Sequence, residues 1–338
     1  MQKLIQKIKD FLSLDKGIGW FILFLLTQIV ASVPAMGIIY IQYFDSSIGM
    51  QAFIEKLATD YATDMSNWCL LIGGLLLLSI YITRKIIKKE PIMSTPIDNK
   101  KAAFSFLFGM AFNAIMISIG MILIVIFRFN GYEMSGTGQL LLNQEVGLFT
   151  ILVTGIIAPI QEEIGFRQGL TRPIYKMGNA LTAIAVSAVI FGFLHAGTFQ
   201  IVMTTILGLF MGYIMLVTGN VLYPILIHVG MNLLSSVMVS QESHELLIIL
   251  VGGVAFILMV ILIYRNESLR DMLSIKTQIK RLLDEHDKEK AAQKTEDLKN
   301  KKKNDKSKFN KQPNVATQNK AKAHNQNKNH RKKKKKKR

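Results

Sequence analysis

Long apolar runs separated by short polar connections fill the chain up to residue 264. About 20 helical residues cross a hydrocarbon core of ~30 Å, so runs of this length predict membrane spans. The pattern predicts an all-α integral membrane protein with about eight transmembrane helices in residues 19–264. The eight runs lie at about Gly19 to Tyr43, Asn67 to Thr83, Ala103 to Phe127, Val146 to Gly169, Leu181 to Ala196, Ile201 to Val217, Val221 to Val239 and Leu246 to Tyr264.

The basic residues of the connections give these spans an orientation. Lys and Arg recur in every second connection, including the N-terminal residues 1–18, the loop from Arg84 to Lys101, and the turn with Arg172 and Lys176. The positive-inside rule places such connections in the cytoplasm. We therefore expect an even number of spans in a cell membrane, with residues 1–18 and the C-terminus both cytoplasmic. The high content of Ile, Lys and Asn hints at a bacterial source.

The composition changes after the last apolar run. Residues 265–338 hold 26 Lys and Arg against nine Asp and Glu, which is most of the net charge of +18. Apolar residues from Glu267 to Leu283 recur at spacings of three and four, so residues 265–284 are predicted to form an amphipathic juxtamembrane helix. Residues 285–338 are rich in Lys, Asn and Gln, and we expect a disordered cytoplasmic tail.

The Lys-rich tail has several candidate partners. Clustered lysines bind anionic lipid or an acidic protein surface, and these are the favoured partners. A nucleic acid or the ribosome stays an alternative, because lysine clusters also release counterions from phosphate backbones. The tail carries no recognisable nucleic-acid-binding motif.

Three ionisable residues interrupt the fourth apolar run. Placing an unpaired charge at the centre of a bilayer costs from about 3 to more than 10 kcal/mol, so Glu162, Glu163 and Arg167 need a structural or functional reason. Glu163 and Arg167 stand four residues apart and share a helix face, which predicts an ion pair. Glu162 is turned about 100° away from Glu163 and is left to act elsewhere.

Two later runs supply polar neighbours for Glu162. Phe191 and His195 lie four apart in one run, and His228 and Asn232 lie four apart in another. Counting ~1.5 Å per residue puts Glu162 and His228 at depths of ~12 and ~10 Å, with His195 deeper at ~20 Å. We expect a polar cavity between these spans, formed where small residues let helices approach closely. These small residues are Gly192, Gly197, Gly208, Gly212 and Gly230.

The polar set has the parts needed to hydrolyse a peptide bond with water. A glutamate shielded among apolar groups is a stronger base than a solvated one, so Glu162 could take a proton from water held jointly with His195. His228 and Asn232 could donate to the oxyanion of the tetrahedral intermediate, at ~3 to 4 kcal/mol per donor. Phe191 is expected to pack beside His195.

Zinc bound by Glu and two His is the alternative for the same residues. The sequence lacks His-Glu-x-x-His, and Asn232 has no natural place among zinc ligands. Cys69 is the single cysteine, which excludes a cysteine-based metal site within one chain. We therefore expect no metal or other cofactor, with zinc kept as the minor alternative.

Three ordered motifs carry a family resemblance. Glu162-Glu163-x-x-x-Arg167, Phe191-x-x-x-His195 and His228-x-x-x-Asn232 resemble the motifs of the CPBP family, the CAAX-protease and bacteriocin-processing group also called Abi proteins. The resemblance covers about residues 103–240. It implies an eight-helix intramembrane endopeptidase opening to the cytoplasm. Glu162 and His195 would activate water, His228 and Asn232 would form the oxyanion hole, and Glu163 and Arg167 would hold the site in shape.

Two functions follow from the resemblance. The first is a metal-independent endopeptidase that cuts a membrane-associated leader peptide, a signalling or bacteriocin precursor, or a lipidated C-terminus, with bacteriocin immunity as an associated role. The second is a non-enzymatic membrane scaffold that regulates another membrane protein, such as a sensor kinase or a cell-wall enzyme. The motif residues are intact, which is compatible with both.

Overall fold

The computed structural model describes residues 2–14, 17–47, 49–92, 95–129, 147–195, 197–239 and 245–309, and every regular element in these ranges is a helix. The chain divides into two compact units, Met1–Leu283 and Asp284–Arg338. The helices, numbered in chain order, are α1 Gln2–Phe11, α2 Gly19–Tyr43, α3 Gly49–Leu57, α4 Ala62–Ile87, α5 Asn99–Phe129, α6 Leu148–Met177, α7 Ala180–Phe193, α8 Thr198–Thr218, α9 Leu222–Val239, α10 Glu245–Arg265, α11 Glu267–Met272 and α12 Ile275–Phe309.

The eight predicted apolar runs all form helices, which confirms the all-α membrane fold. Among the described residues, five helices are long and apolar enough to cross a bilayer, namely α2, α4, the part of α5 up to Gly120, α6 and α8. The other three, α7, α9 and α10, are apolar but shorter over the residues described. A count of eight spans therefore stays a prediction for these three helices.

Helix α2 shows how the apolar runs divide between core and lipid. Ala31, Ala35 and Ile39 recur at a spacing of four and have no exposed surface, so they pack against the neighbouring helices α4 and α6. Val33 and Ile41 lie on other faces of the same helix and are 74% and 83% exposed. An apolar surface this open is expected where a helix meets hydrocarbon rather than water.

Helix α6 carries the two glutamates and is interrupted by two π-helical segments. These are Val153–Ile157 and Ile164–Thr171, with α-helical residues before, between and after them. In the first segment the Ala158 N–H bonds the carbonyl of Val153, five residues back. Pro159 comes next and has no N–H, so the corresponding bond to Thr154 cannot form. The Asn232 side chain donates to the Thr154 carbonyl instead, at 2.9 Å.

The predicted depths change because α6 is longer than its apolar run. The basic residues Arg172 and Lys176 suggested a turn, but the helix continues to Met177. Glu162 therefore lies fifteen residues before the end of α6, and His195 lies fifteen residues after the start of α7 at Ala180. The two helices meet at a short turn, so equal counts from it place Glu162 and His195 at similar depth. The expectation that His195 is deeper was wrong.

His228 reaches the same level because α9 begins at a recessed turn. Asn220 has no exposed surface, and its side-chain amide donates to the carbonyl of Thr95 at 3.0 Å. The backbone N–H of Asp98 in turn donates to the Tyr223 hydroxyl at 2.9 Å. The loop before α5 thus covers the turn before α9. Counting from the membrane surface underestimates the depth of a helix that starts beneath such a cover.

Glycines bring α9 against α5. A Cβ placed on Gly230 would lie 2.3 Å from the carbonyl oxygen of Phe106, and one on Gly109 would lie 1.9 Å from that of Ile227. The absence of both side chains therefore allows the backbones to touch. Among the other predicted small residues, Gly192 and Gly208 also pack tightly, Gly212 makes ordinary contacts, and Gly197 precedes α8 with a positive φ of 86°.

The segment after α10 differs from the prediction. Asn266 caps α11 by accepting from the Leu269 N–H at 3.2 Å, so the expected single helix over residues 265–284 is two helices. Helix α12 extends to Phe309, which corrects the expectation of disorder for residues 285–309. Lys, Glu, Gln and Ala are strong helix formers, and opposite charges at helical spacing support them. Residues 310–338 lie outside the described residues.

Candidate functional site

Glu163 lies at the centre of a buried charged cluster. Its side chain has no exposed surface, and its Oε2 lies 2.7 Å from Nε of Arg167, which is equally buried. Its other oxygen, Oε1, lies 3.1 Å from Nδ1 of His228 on α9. The pair predicted within α6 is therefore present and also joins α6 to a second helix. Each oxygen of the Glu163 carboxylate has its own cationic or donor partner.

Arg167 is held by α7 as well as by Glu163. Its Nη1 donates to the Ser187 hydroxyl at 3.2 Å, and the Thr171 hydroxyl donates to the same oxygen at 2.8 Å. The guanidinium carbon lies 5.1 Å from the centre of the Phe191 ring, a cation–π distance. Sequence reasoning did not identify Ser187 or Thr171, because a small hydroxyl residue in an apolar run also fits ordinary helix packing.

The contacts of His228 assign its ring protons. A carboxylate only accepts hydrogen bonds, so Nδ1 must carry the proton that is directed at Glu163. The second nitrogen, Nε2, lies 3.8 Å from Oε2 of Glu162. Nε2 is a donor only when the ring carries two protons. Glu162, Glu163, Arg167 and imidazolium His228 would together have a formal charge of zero.

Glu162 is the less buried carboxylate of the pair. Its side chain is 20% exposed, whereas that of Glu163 is fully buried. Its Oε2 is itself buried and has no hydrogen-bond partner among the described residues, although His228 lies beside it. Adjacent glutamates thus differ in environment, as the 100° turn between them predicts. Glu163 organises neighbouring side chains, and Glu162 is the one that can meet another molecule.

His195 and Phe191 come from the end of α7. His195 lies two residues beyond the last helical residue, Phe193, and its Nδ1 contacts the carbonyl oxygen of Phe191 at 2.8 Å. A carbonyl only accepts, so Nδ1 carries the proton and Nε2 is the acceptor of the neutral ring. His195 is close enough to Glu162 to interact with it electrostatically.

The Phe191 ring separates the two imidazoles. Its centre lies 4.8 Å from that of His195 and 5.6 Å from that of His228, edge to face in both cases. Phe191 packs beside His195 as predicted and has no exposed surface itself. The ring packs against both imidazoles without contacting their Nδ1 atoms, which bond Glu163 and the Phe191 carbonyl.

Asn232 lies one helical turn beyond His228, but its side chain bonds a backbone carbonyl rather than a side chain of the site. Its Nδ2 donates to the Thr154 carbonyl that Pro159 leaves without a helical donor. The structure therefore shows Asn232 bridging α9 to α6 rather than bonding Glu162 or His195. An amide nitrogen has two hydrogens, so one is still able to reach an oxyanion. The predicted oxyanion role and the observed bridging contact are compatible.

The site brings together groups that can exchange protons. Glu162 offers a carboxylate, His195 offers an acceptor nitrogen when its ring is neutral, and His228 would offer a donor at Nε2 if its ring carried both protons. Among the described residues, no three His, Cys, Asp or Glu side chains converge as a metal site would require.

Comparisons with known proteins point to the same segment. Residues 144–234 match the family model described as type II CAAX prenyl endopeptidase Rce1-like. That range contains all seven predicted site residues. The chain is also 31% identical over 111 residues to a Bacillus subtilis (strain 168) protein named "Putative membrane peptidase YdiL". This match covers 30% of the chain and 45% of the relative, so it spans less than half of the relative's length.

No solved structure matches the chain significantly. The family model and the relative both concern membrane peptidases, and the matched range coincides with the geometric cluster on α6, α7 and α9. The three motifs are thus found in the expected order, on the expected helices and in mutual contact. Residues 144–234, with the candidate site that they contain, are thus similar to the CAAX-protease group that the three motifs indicate.

Proposed function

We propose that the protein is a membrane-embedded endopeptidase that hydrolyses a peptide bond with water activated by Glu162. One observation carries the proposal. Oε2 of Glu162 has no hydrogen-bond partner among the described residues, while the adjacent Glu163 holds both Arg167 and His228 in place. A buried carboxylate oxygen without a partner is costly, so a purely structural glutamate would be expected to be paired as Glu163 is.

The reaction would begin with Glu162 taking a proton from water, with His195 Nε2 accepting a second hydrogen bond from the same molecule. The resulting hydroxide attacks the scissile carbonyl carbon, and the negative charge moves to its oxygen. Imidazolium His228 would donate from Nε2 to that oxygen, helped by the second hydrogen of Asn232. The C–N bond then breaks, and the proton on Glu162 passes to the leaving amine. The products are a carboxylate and an amine.

Glu163 and Arg167 would act through His228 rather than on the substrate. Because Glu163 accepts from Nδ1, it fixes the orientation of the His228 ring and directs Nε2 toward Glu162. Arg167 holds the Glu163 carboxylate in position and is itself held by Ser187 of α7. Substrates that suit a cavity within the membrane are membrane-associated, such as a leader peptide, a signalling or bacteriocin precursor, or a lipidated C-terminus.

The test is hydrolysis by Glu162→Gln and His195→Ala, with Glu55→Gln as a control on the exposed face of α3. A deletion strain would receive each variant at matched membrane levels, and uncut membrane peptides would be measured by mass spectrometry. Loss of the general base should lower turnover by about 10²- to 10⁴-fold, while Glu55→Gln should match the wild type. A folded Glu162→Gln protein with wild-type turnover would refute the mechanism. Chelators should leave turnover unchanged if no metal takes part.

A scaffold function is the second candidate, and the long charged helix α12 is the observation that favours it. Its 35 residues, Ile275–Phe309, are rich in Lys and suit an anionic lipid surface or an acidic partner protein. A scaffold that regulates another membrane protein predicts loss of function on removal of residues 285–338 but not in Glu162→Gln. The peptidase predicts the reverse pattern.

A further inference from the structure

A basic pocket lies where the start of α2, the end of α4 and the end of α6 meet. Its volume is about 210 Å³. The walls carry five basic residues and one acidic residue, Glu90. The basic residues are Arg84, Lys85 and Lys88 from α4 and its C-cap, and Arg172 and Lys176 from α6. None of these residues belongs to the candidate peptidase site.

The described walls of this pocket are predominantly basic. Lys85 forms an ion pair with Glu90 at 3.0 Å, and Glu90 is the one acid among the described residues that line the pocket. Lys85 is largely withdrawn from solvent, with 17% of its side chain exposed. Basic side chains that converge from two helices on one space attract a negatively charged group. The pocket is thus suited to an anionic group.

The floor of the same pocket is aromatic. Trp20 and Tyr81 line it, are 7% and 4% exposed, and meet edge to face with ring centres 5.2 Å apart. Trp20 lies at the first turn of α2 and Tyr81 lies near the end of α4, which are both candidate membrane spans. Aromatic and basic residues at the ends of spans mark the level of lipid headgroups. The pocket therefore lies where a phosphate attached to an acyl chain would be found.

We propose that this pocket binds the phosphate group of an anionic phospholipid. Arg84 and Arg172 reach it from different helices, and a guanidinium matches two phosphate oxygens with parallel N–H groups. Arg172 is oriented by its Nη1, which donates to Gln168 Oε1 at 3.3 Å. Gln168 and Arg172 follow Arg167 on the same helix. A bound headgroup would therefore connect α2 and α4 to the end of the helix that carries the candidate catalytic glutamate.

Trp20 provides a reporter inside the pocket. The chain has two tryptophans, and Trp68→Phe would leave Trp20 alone while keeping an aromatic ring against Phe149. The full-length protein would be placed in phosphatidylcholine bilayers containing a small fraction of either brominated phosphatidylglycerol or brominated phosphatidylcholine. Bromine quenches only nearby tryptophan, so the signal reports lipid at the pocket. We expect stronger quenching by the anionic lipid.

The charge variants test whether the pocket causes that preference. Each removed cation should weaken binding about fivefold, so Arg84→Gln with Arg172→Gln should weaken it about 25-fold and abolish the excess quenching. Lys100→Gln with Lys101→Gln removes the same charge from the start of α5, outside the pocket, and should keep the excess. Thermal unfolding in detergent would verify folding, and Arg172→Gln alone would replace the double variant if that fails.

Three outcomes are decisive. Excess quenching that disappears in the arginine variant but not in the lysine variant supports the lipid. Equal quenching by the two brominated lipids, with a Trp20 emission shift on adding inorganic phosphate to bilayers of phosphatidylcholine, would overturn the lipid and assign the pocket to a soluble phosphate compound. Two further results would overturn phosphate binding altogether. One is equal quenching by the two brominated lipids without a Trp20 emission shift on adding phosphate. The other is excess quenching by the anionic lipid that the arginine and lysine variants lose equally.

Discussion

The buried ion pair of α6 allows a quantitative test of the charged cluster. Neither Glu163 nor Arg167 has any exposed side-chain surface. Removing one partner of such a pair typically costs about 3 to 5 kcal/mol, because the other charge stays buried and uncompensated. Glu163→Gln keeps an amide oxygen that can still accept from His228 Nδ1, so the change is mainly the loss of negative charge. We expect its free energy of unfolding to fall by about 3 to 5 kcal/mol.

A double-mutant cycle separates the pair from its surroundings. Arg167→Met should also be strongly destabilising, since the buried Glu163 carboxylate loses its ion-pair partner and, among the described residues, keeps the contact with His228. Combining the two substitutions removes both charges, and an uncharged replacement of a buried pair is often close to neutral. The double variant should therefore lose less than the two single losses added together, with a coupling of at least about 2 kcal/mol.

The assay is unfolding of the purified proteins by sodium dodecyl sulfate in a mild detergent, followed by circular dichroism. The matched control is the pair of Lys56 and Asp60, also four residues apart but 3.9 Å from each other and 44% and 58% exposed. Its cycle with Lys56→Met and Asp60→Asn should give a coupling below about 0.5 kcal/mol. If the losses in unfolding free energy from the Glu163 and Arg167 substitutions simply add, the two charges do not stabilise each other. That result would refute the assignment of a stabilising buried ion pair.

Two further predictions concern the backbone around the site. Asn232→Ala should cost about 1 to 3 kcal/mol of unfolding free energy, because the Thr154 carbonyl loses its donor. Adding Pro159→Ala restores a backbone N–H and should recover part of that loss, whereas an Asn232 that acts only on the oxyanion would leave the unfolding midpoint unchanged. Gly230→Val would place a Cβ 2.3 Å from the Phe106 carbonyl oxygen and should cost about 1 to 3 kcal/mol. Gly37→Ala on α2, with no atom within 4 Å, should instead be neutral or stabilising in the same detergent assay.

The sequence predicts the apolar helices and the contacts within single helices well, because both depend on patterns that are local. Apolar runs identify α2 to the residue and α8 to within three residues. The four-residue spacings predict that Glu163 pairs with Arg167 and that Phe191 packs beside His195. Each of these contacts lies within one helix or at its end, where geometry follows directly from spacing.

The contacts between helices were not predictable in the same way. Ser187 accepts from Arg167, and the Thr154 carbonyl accepts from Asn232. In both pairs the two residues are far apart in the sequence. The end of α6 was placed too early because Arg172 reads as a loop residue. In the structure it faces the basic pocket from within a helix. The amphipathic helix α1, Gln2–Phe11, was not predicted, since the lysines of residues 1–18 were used only to assign that segment to the cytoplasm.

Because α6 contains two π-helical segments, an insertion or deletion in either of them would change which way the residues beyond it face. Loss of one residue from Val153–Ile157 would let that segment close into an ordinary α-helix, and Glu162 would turn by about 100° relative to the first turn of α6. Loss of one residue from Ile164–Thr171 would turn Arg172 by the same angle relative to Glu163. Single substitutions in α6 therefore disturb individual contacts, whereas a change in its length would uncouple the glutamates from every helix that they meet.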